Sequence, residues 1–146
     1  MATTAEMPPA DLLAMTSVAI DGEADLLRVR SVMRSYALQA GLGLTATTKV
    51  VTAASELARN ILRHASGGQG VATFEEASSG HNRGVRAVFT DIGPGIADVD
   101  AAMRSGFSTV GSLGLGLPGS CRLVDEFSID SAPGRGTRVA ICQWAL

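Results

Sequence analysis

The apolar positions of this chain change rhythm partway along, and the change predicts the order of its elements. Ser17–Ile20 is a short run that reads as a strand. Beyond it, Leu26, Val29, Met33, Tyr36 and Ala40 recur at intervals of three and four, which predicts a helix to about Ala40 with Asp21 as its N-cap. Gly41-Leu42-Gly43 breaks that helix. Thr45 is placed to cap a second one, running to about Ala65 with Val50, Ala54, Leu57, Ile61 and Ala65 as its apolar stripe, and Gly67-Gly68 closes it.

After those glycines the pattern turns strand-like. Gly70–Glu76 and Val85–Asp91 read as a hairpin joined by the polar turn Ser78–Gly84. A long loop-rich stretch, Ile92–Leu117, carries room for a short helix after Asp98. A second short helix is expected over Ser120–Glu126, with Pro118 just ahead of it. Phe127–Ser131 and Thr137–Trp144 then read as strands joined by Pro133-Gly134-Arg135-Gly136, with Trp144 anchoring the last strand in the core. Helices grouped ahead of hairpin strands predict an α+β fold: a two-layer α/β sandwich with a mixed, mainly antiparallel sheet and helices on one face. Residues 1–15, with Pro8 and Pro9 and no periodicity, are expected to form a flexible tail before a single domain spanning 16–146.

Composition narrows the function classes. The chain has 146 residues and a net charge of −2, so it offers no electrostatic case for a nucleic-acid partner. No apolar run approaches the roughly 20 residues needed to span a bilayer. Met1–Ala14 lacks the basic start and long apolar segment of a signal peptide, so a cytoplasmic location is expected. Cys121 and Cys142 fit no zinc or redox spacing and read as small buried hydrophobes, and His64 and His81 do not make a metal site.

Three pieces carry candidate chemistry. On the second predicted helix, Glu56 and Asn60 are four apart and share a face. A carboxylate and a carboxamide there can position a hard cation such as Mg²⁺, polarise a hydroxyl, or simply form a solvated face. Asp91-Ile92-Gly93-Pro94-Gly95-Ile96 follows at a strand end, where an Asp can accept from the exocyclic amine of a base and glycines let the chain pass close to a flat ring, or form a plain turn. Gly111–Gly119 places four glycines in nine residues ahead of a helix start, a physical recipe for holding phosphate by backbone N–H groups. Gly136-Thr137, opening the last strand, is a minor fourth piece.

In this order the pieces resemble the GHKL ATP-binding superfamily of gyrase and the histidine kinases, over residues 17–144. Glu56-Leu57-Ala58-Arg59-Asn60 looks like its N box, Asp91–Ile96 like its first glycine box, and Gly114-Leu115-Gly116-Leu117-Pro118-Gly119 like its second. Ser55–Ile61, Phe107-Ser108-Thr109 and Leu123–Phe127 are similar to the small anti-sigma-factor type of serine/threonine kinase within that superfamily. The resemblance implies ATP and Mg²⁺ as cofactors. Asn60 would ligate the metal and Glu56 would act as general base. Asp91 would hold the adenine amine, with Gly93 and Gly95 giving the ring room and Thr137 adding a hydroxyl. Gly114, Leu115 and Gly116 would wrap the phosphates. Related kinases tend to carry an Arg before the lid glycines. Here Thr109-Val110-Gly111-Ser112 has none, which leaves Arg104 as a candidate for the γ-phosphate. The implied activity is phosphorylation of a STAS-domain antagonist in a partner-switching pathway, with a PPM-type phosphatase downstream and a homodimer as one assembly. The alternative is a nucleotide-gated anti-sigma or regulator-binding module with little phosphotransfer, whose lid is residues 98–113.

Overall fold

The computed structural model describes residues 15–64, 69–104 and 116–146. Five strands, β1 (Met15–Ile20), β2 (Gly70–Ser79), β3 (Asn82–Asp91), β4 (Glu126–Ser131) and β5 (Thr137–Trp144), form one sheet in the order β1-β2-β3-β5-β4. Every pairing among the described residues is antiparallel. Helices α1 (Ala24–Ala40) and α2 (Leu44–His64) pack against each other and against the sheet. Two short helices, α3 (Val99–Ala102) and α4 (Gly116–Leu123), follow β3, and α4 rests on α2. The result is the expected α+β sandwich.

The sheet's two faces follow from the period-two alternation of side chains. Val18, Ile20, Ala72, Phe74, Val85, Ala87, Phe89, Val139 and Ile141 point to the helices and are buried. Phe74 is the centre of this layer: Tyr36 of α1 stacks on it at 6.1 Å between ring centroids, and Phe89 meets it edge-on at 6.2 Å. The hydroxyl of the fully buried Tyr36 reaches Thr16 Oγ1 at 2.8 Å, so α1 is tied to β1 by a polar contact as well as by packing. Across the other face runs a row of residues in register, Glu75, Arg86, Cys142 and Glu126, with Arg86 Nε 3.5 Å from Glu75.

Local signals explain most element ends, and the structure departs from expectation at several. Asp21 does not cap α1; Asp25 does the corresponding work from inside the first turn, its Oδ2 accepting the N–H groups of Asp21 and Gly22 at 2.9 and 3.1 Å. Thr45 does not cap α2, which starts one residue earlier at Leu44, the first α2 backbone bond returning from Thr47 to the Gly43 carbonyl. The helix expected over Ser120–Glu126 instead spans Gly116–Leu123, starting two residues before Pro118. Gly41 at φ +89° ends α1 as expected, donating to the Ala37 and Leu38 carbonyls while Leu42 N–H also returns to Ala37. Trp144 is half-buried rather than a core anchor, and its indole N–H donates to Glu126 at 2.8 Å. Met15, placed in the expected tail, is the first residue of β1, and the rest of that tail lies outside the described residues. Among those residues no helix is long and apolar enough to cross a membrane.

Removing the ring of Phe74 leaves a cavity where three aromatic side chains meet, so Phe74→Ala is expected to cost about 3–5 kcal/mol in urea denaturation. A loss under about 1 kcal/mol would show the aromatic cluster to be peripheral. Burial pushes the Cys142 thiol up from 9.0 to about 11, with Glu126 adding to the rise and Arg86 opposing it. Below the lower value the thiol keeps its proton whether folded or not, and its contribution to stability is complete. As pH climbs through that window the unfolded chain releases the proton first, and stability falls. Cys142→Ala should therefore flatten the alkaline decline measured by denaturation between about pH 9 and about pH 11.

Candidate functional site

Glu56 is buried on α2, only 5% exposed. Its Oε1 accepts from Arg59 Nη1 at 3.2 Å, one helical turn on. Its Oε2 is buried and has no partner among the described residues. An unsatisfied buried polar atom costs about 1–3 kcal/mol, more for a charged group, so a chain that keeps one has a use for it or fills it with a ligand. Asn60 lies four residues on, half-buried, its carboxamide without a hydrogen bond among the described residues. The next residue fixes where this turn sits. A Cβ placed on Gly70 would run into the Thr90 carbonyl and the Ile61 side chain, so Ile61 presses on the β2–β3 ladder beside its last rung. That rung is Gly70 opposite Asp91, which in turn faces Thr137 on β5.

Asp91 is half-buried at the end of β3. Its Oδ1 accepts the Gly93 N–H at 2.8 Å, which fixes the carboxylate and leaves Oδ2 without a partner among the described residues. The glycines around it serve the chain's own close packing. Gly136, at φ +75°, passes so near the Asp91 carbonyl that a Cβ would collide with it. Gly95, at φ +78°, lies against the Ala132 carbonyl in the same way. Gly95 is therefore required by the approach of its loop to the β4–β5 turn.

Ser131 joins these pieces. Its hydroxyl donates to the Gly136 carbonyl at 2.9 Å, accepts the Ile96 N–H at 2.8 Å and meets Thr137 Oγ1 at 2.8 Å. Gly134 N–H adds a bond to the Pro94 carbonyl. The loop after Asp91 is thus sewn to the β4–β5 hairpin, and Asp91, Gly93, Gly95 and Thr137 form one cluster. Ser131 was missed from sequence. The available signal was its position directly across the hairpin from Thr137.

On the other side, α4 packs on α2, with Gly116 as its first residue at φ +70° and the fully buried Ser120 donating to the Gly116 carbonyl at 3.0 Å. Gly114 and Leu115, and the expected lid beyond Arg104, lie outside the described residues. Arg104 is exposed just past α3, and His64 is exposed at the last residue of α2. Among the described residues, no three His, Cys, Asp or Glu side chains gather into a metal site. The groups left without a partner among the described residues are one carboxylate oxygen on Asp91 at the sheet end and, on α2, one carboxylate oxygen on Glu56 and the carboxamide of Asn60. This donor set suits a base amine at one end. At the other it suits a hydroxyl and a hard cation that takes most of its ligands from phosphate and water.

Residues 21–143 match the family of the histidine kinase-like ATPase domain. Over 127 residues, 87% of this chain and 94% of the relative, the sequence is 41% identical to the serine/threonine-protein kinase RsbT of Bacillus subtilis strain 168. It is also 28% identical over 119 residues to the anti-sigma F factor of Thermoanaerobacter sp. strain X514, covering 79% of this chain and 82% of the relative. The anti-sigma F factor of Thermoanaerobacter pseudethanolicus matches to the same extent.

Two glycines of the site separate conformation from contact. Gly95 and Gly134 both have φ near +78°, at +78° and +77°, but a Cβ on Gly134 meets nothing within 4 Å. Gly134→Ala should cost about 1 kcal/mol, the left-handed conformation alone, and Gly95→Ala at least about 2 kcal/mol by chemical denaturation. Equal losses would mean that the loop does not rest on the hairpin.

Proposed function

The chain belongs to the histidine kinase-like ATPase domain family, and from that premise we propose that it is a serine/threonine protein kinase that transfers the γ-phosphoryl group of Mg-ATP to a STAS-domain antagonist in a partner-switching pathway. The observation that carries the reading is the buried carboxylate of Glu56, with one oxygen unpartnered among the described residues, one turn before Asn60. The 41% identity to a serine/threonine kinase over most of both chains supports it.

In this reading the sheet end grips the base. Asp91, fixed by Gly93 N–H, accepts from the adenine amine through its open oxygen, and Thr137 supplies a hydroxyl from the neighbouring strand. Gly93 and Gly95 keep the loop tight against the hairpin so that this edge does not move. Asn60 would hold Mg²⁺, and Gly114, Leu115 and Gly116 would present backbone N–H groups to the phosphates ahead of α4. When bound, Mg-ATP supplies the γ-phosphorus, whose bond to the β–γ bridging oxygen breaks as the acceptor hydroxyl oxygen bonds to it, ADP leaving with that electron pair. Glu56 takes the hydroxyl proton. Phosphoryl transfer asks mainly for positioning and charge neutralisation, and rigid elements carry both Glu56 and Asp91. A PPM-type phosphatase as the partner after release, and pairing of two copies of the chain, belong to the same proposal.

The likeness to anti-sigma F factors keeps a second reading in play, in which the nucleotide gates capture of a regulator and little phosphate moves. Incubation with Mg-ATP and the STAS protein encoded nearest the gene separates the two. Wild-type protein is expected to place phosphate on a Ser or Thr. Glu56→Gln should slow transfer by about 100-fold or more with calorimetric ATP affinity within about threefold. ATP binding without phosphate on the partner would favour the binding module, and transfer at the wild-type rate by Glu56→Gln would remove Glu56 from the chemistry.

A further inference from the structure

We propose that Arg59 is a positioning residue that holds the Glu56 carboxylate by one oxygen and thereby reserves the other, Oε2, as the proton acceptor. The inference rests on the kinase reading above. Its basis is an asymmetry inside one ion pair. Arg59 Nη1 contacts Glu56 Oε1 at 3.2 Å, while Oε2 has no partner among the described residues and is buried. A guanidinium commonly engages a carboxylate with both prongs, and that arrangement would occupy both oxygens. Here a single contact fixes the carboxylate and leaves the lone pairs of one oxygen free.

Helix geometry accounts for the asymmetry. Arg59 is three residues beyond Glu56, so the two side chains are neighbours on the α2 surface. Their surroundings differ: the Glu56 side chain is 7% exposed and that of Arg59 31%. The arginine therefore reaches inward from the edge of the site and keeps part of its charge in water, which spares it most of the desolvation that a fully buried pair suffers. A carboxylate as enclosed as that of Glu56 would otherwise be a buried charge with no compensating group. Arg59 supplies that charge through its contact with Oε1. Lysine, a point charge on a more mobile stem, reproduces the compensation and loses part of the orientation.

The experiment compares wild type, Arg59→Met, Arg59→Lys, Glu56→Gln and the Arg59→Met/Glu56→Gln double variant. It uses single-turnover phosphotransfer to the STAS partner, ATP affinity by calorimetry and thermal melting without nucleotide. Arg59→Met is expected to lower the transfer rate about 100-fold, the scale of a reacting group displaced by an ångström, with ATP affinity unchanged within about twofold. Arg59→Lys should recover the rate to within about tenfold of wild type. Because Arg59 acts through Glu56, the double variant should be no slower than Glu56→Gln alone. If Arg59→Met does not fold, as the melting curve will show, Arg59→Gln replaces it under the same criteria. Three results overturn the proposal while leaving the kinase reading intact: Arg59→Met transferring at the wild-type rate, a loss of ATP affinity that matches the loss of rate, or a double variant slower than Glu56→Gln. Absence of transfer by wild-type protein that binds ATP overturns the kinase reading, and this proposal with it.

Discussion

The close approach of two backbones at the end of the sheet is the constraint on which the rest of the site depends. Gly136 crosses the Asp91 carbonyl, and Gly95 crosses that of Ala132, with no space for a side-chain carbon at either crossing. These approaches bring the β4–β5 hairpin and the loop after β3 within reach of one hydroxyl, that of Ser131, which binds both. Once they are joined, the Asp91 carboxylate has a single orientation, set by Gly93 N–H. Ile61, pressed on Gly70 directly across the ladder from Asp91, carries the geometry across to α2 and therefore to Asn60 and Glu56.

The two ends of the site are built in different ways. The Asp91 end is a hydrogen-bonded cluster at the tip of a sheet, where most polar groups have internal partners and one carboxylate oxygen is left over. At the Glu56 end, a carboxylate is enclosed by an apolar helix face in which Val50, Ala53, Ala54, Leu57 and Ile61 are buried. The enclosure makes an unpaired oxygen costly and keeps water away from it, and both conditions suit a group that must accept a proton from a positioned hydroxyl. Arg59 is the bridge between that apolar setting and solvent.

Much of this was legible in the sequence, for reasons that differ by element. The stripes of α1 and α2 and the paired strands follow from periodicity, and the core they predict is the one observed, from Leu26 and Met33 to Ile61. The α+β class follows from helices grouped ahead of hairpin strands, and the ATP-binding family from three short motifs in order. Helix starts were the weak point. Asp21 and Thr45 are good cap residues by type, but Asp25 reached back from inside α1 and the Gly43 carbonyl took the first α2 bond, from Thr47 N–H, alternatives that depend on three-dimensional approach. The packing of Gly95 against Ala132, across 37 residues of chain, cannot be read from local pattern. Ser131 lay in no motif, and Arg59 lay inside one without a role assigned to it. Each matters through a partner, Thr137 across a hairpin and Glu56 one helical turn back, and only the register and the rotamers reveal those partnerships.

The central claim is that Asp91 recognises the exocyclic amine of adenine. Its most direct test is a calorimetric comparison of ATP and GTP, each with magnesium, on the wild-type protein. Guanine presents a carbonyl where adenine presents that amine, so GTP loses a charge-assisted hydrogen bond and sets an oxygen against the carboxylate. The account predicts ATP binding tighter than GTP by at least about 10-fold, the scale of one hydrogen bond to a charged group. Equal affinity for the two nucleotides, or no heat with either, would contradict it.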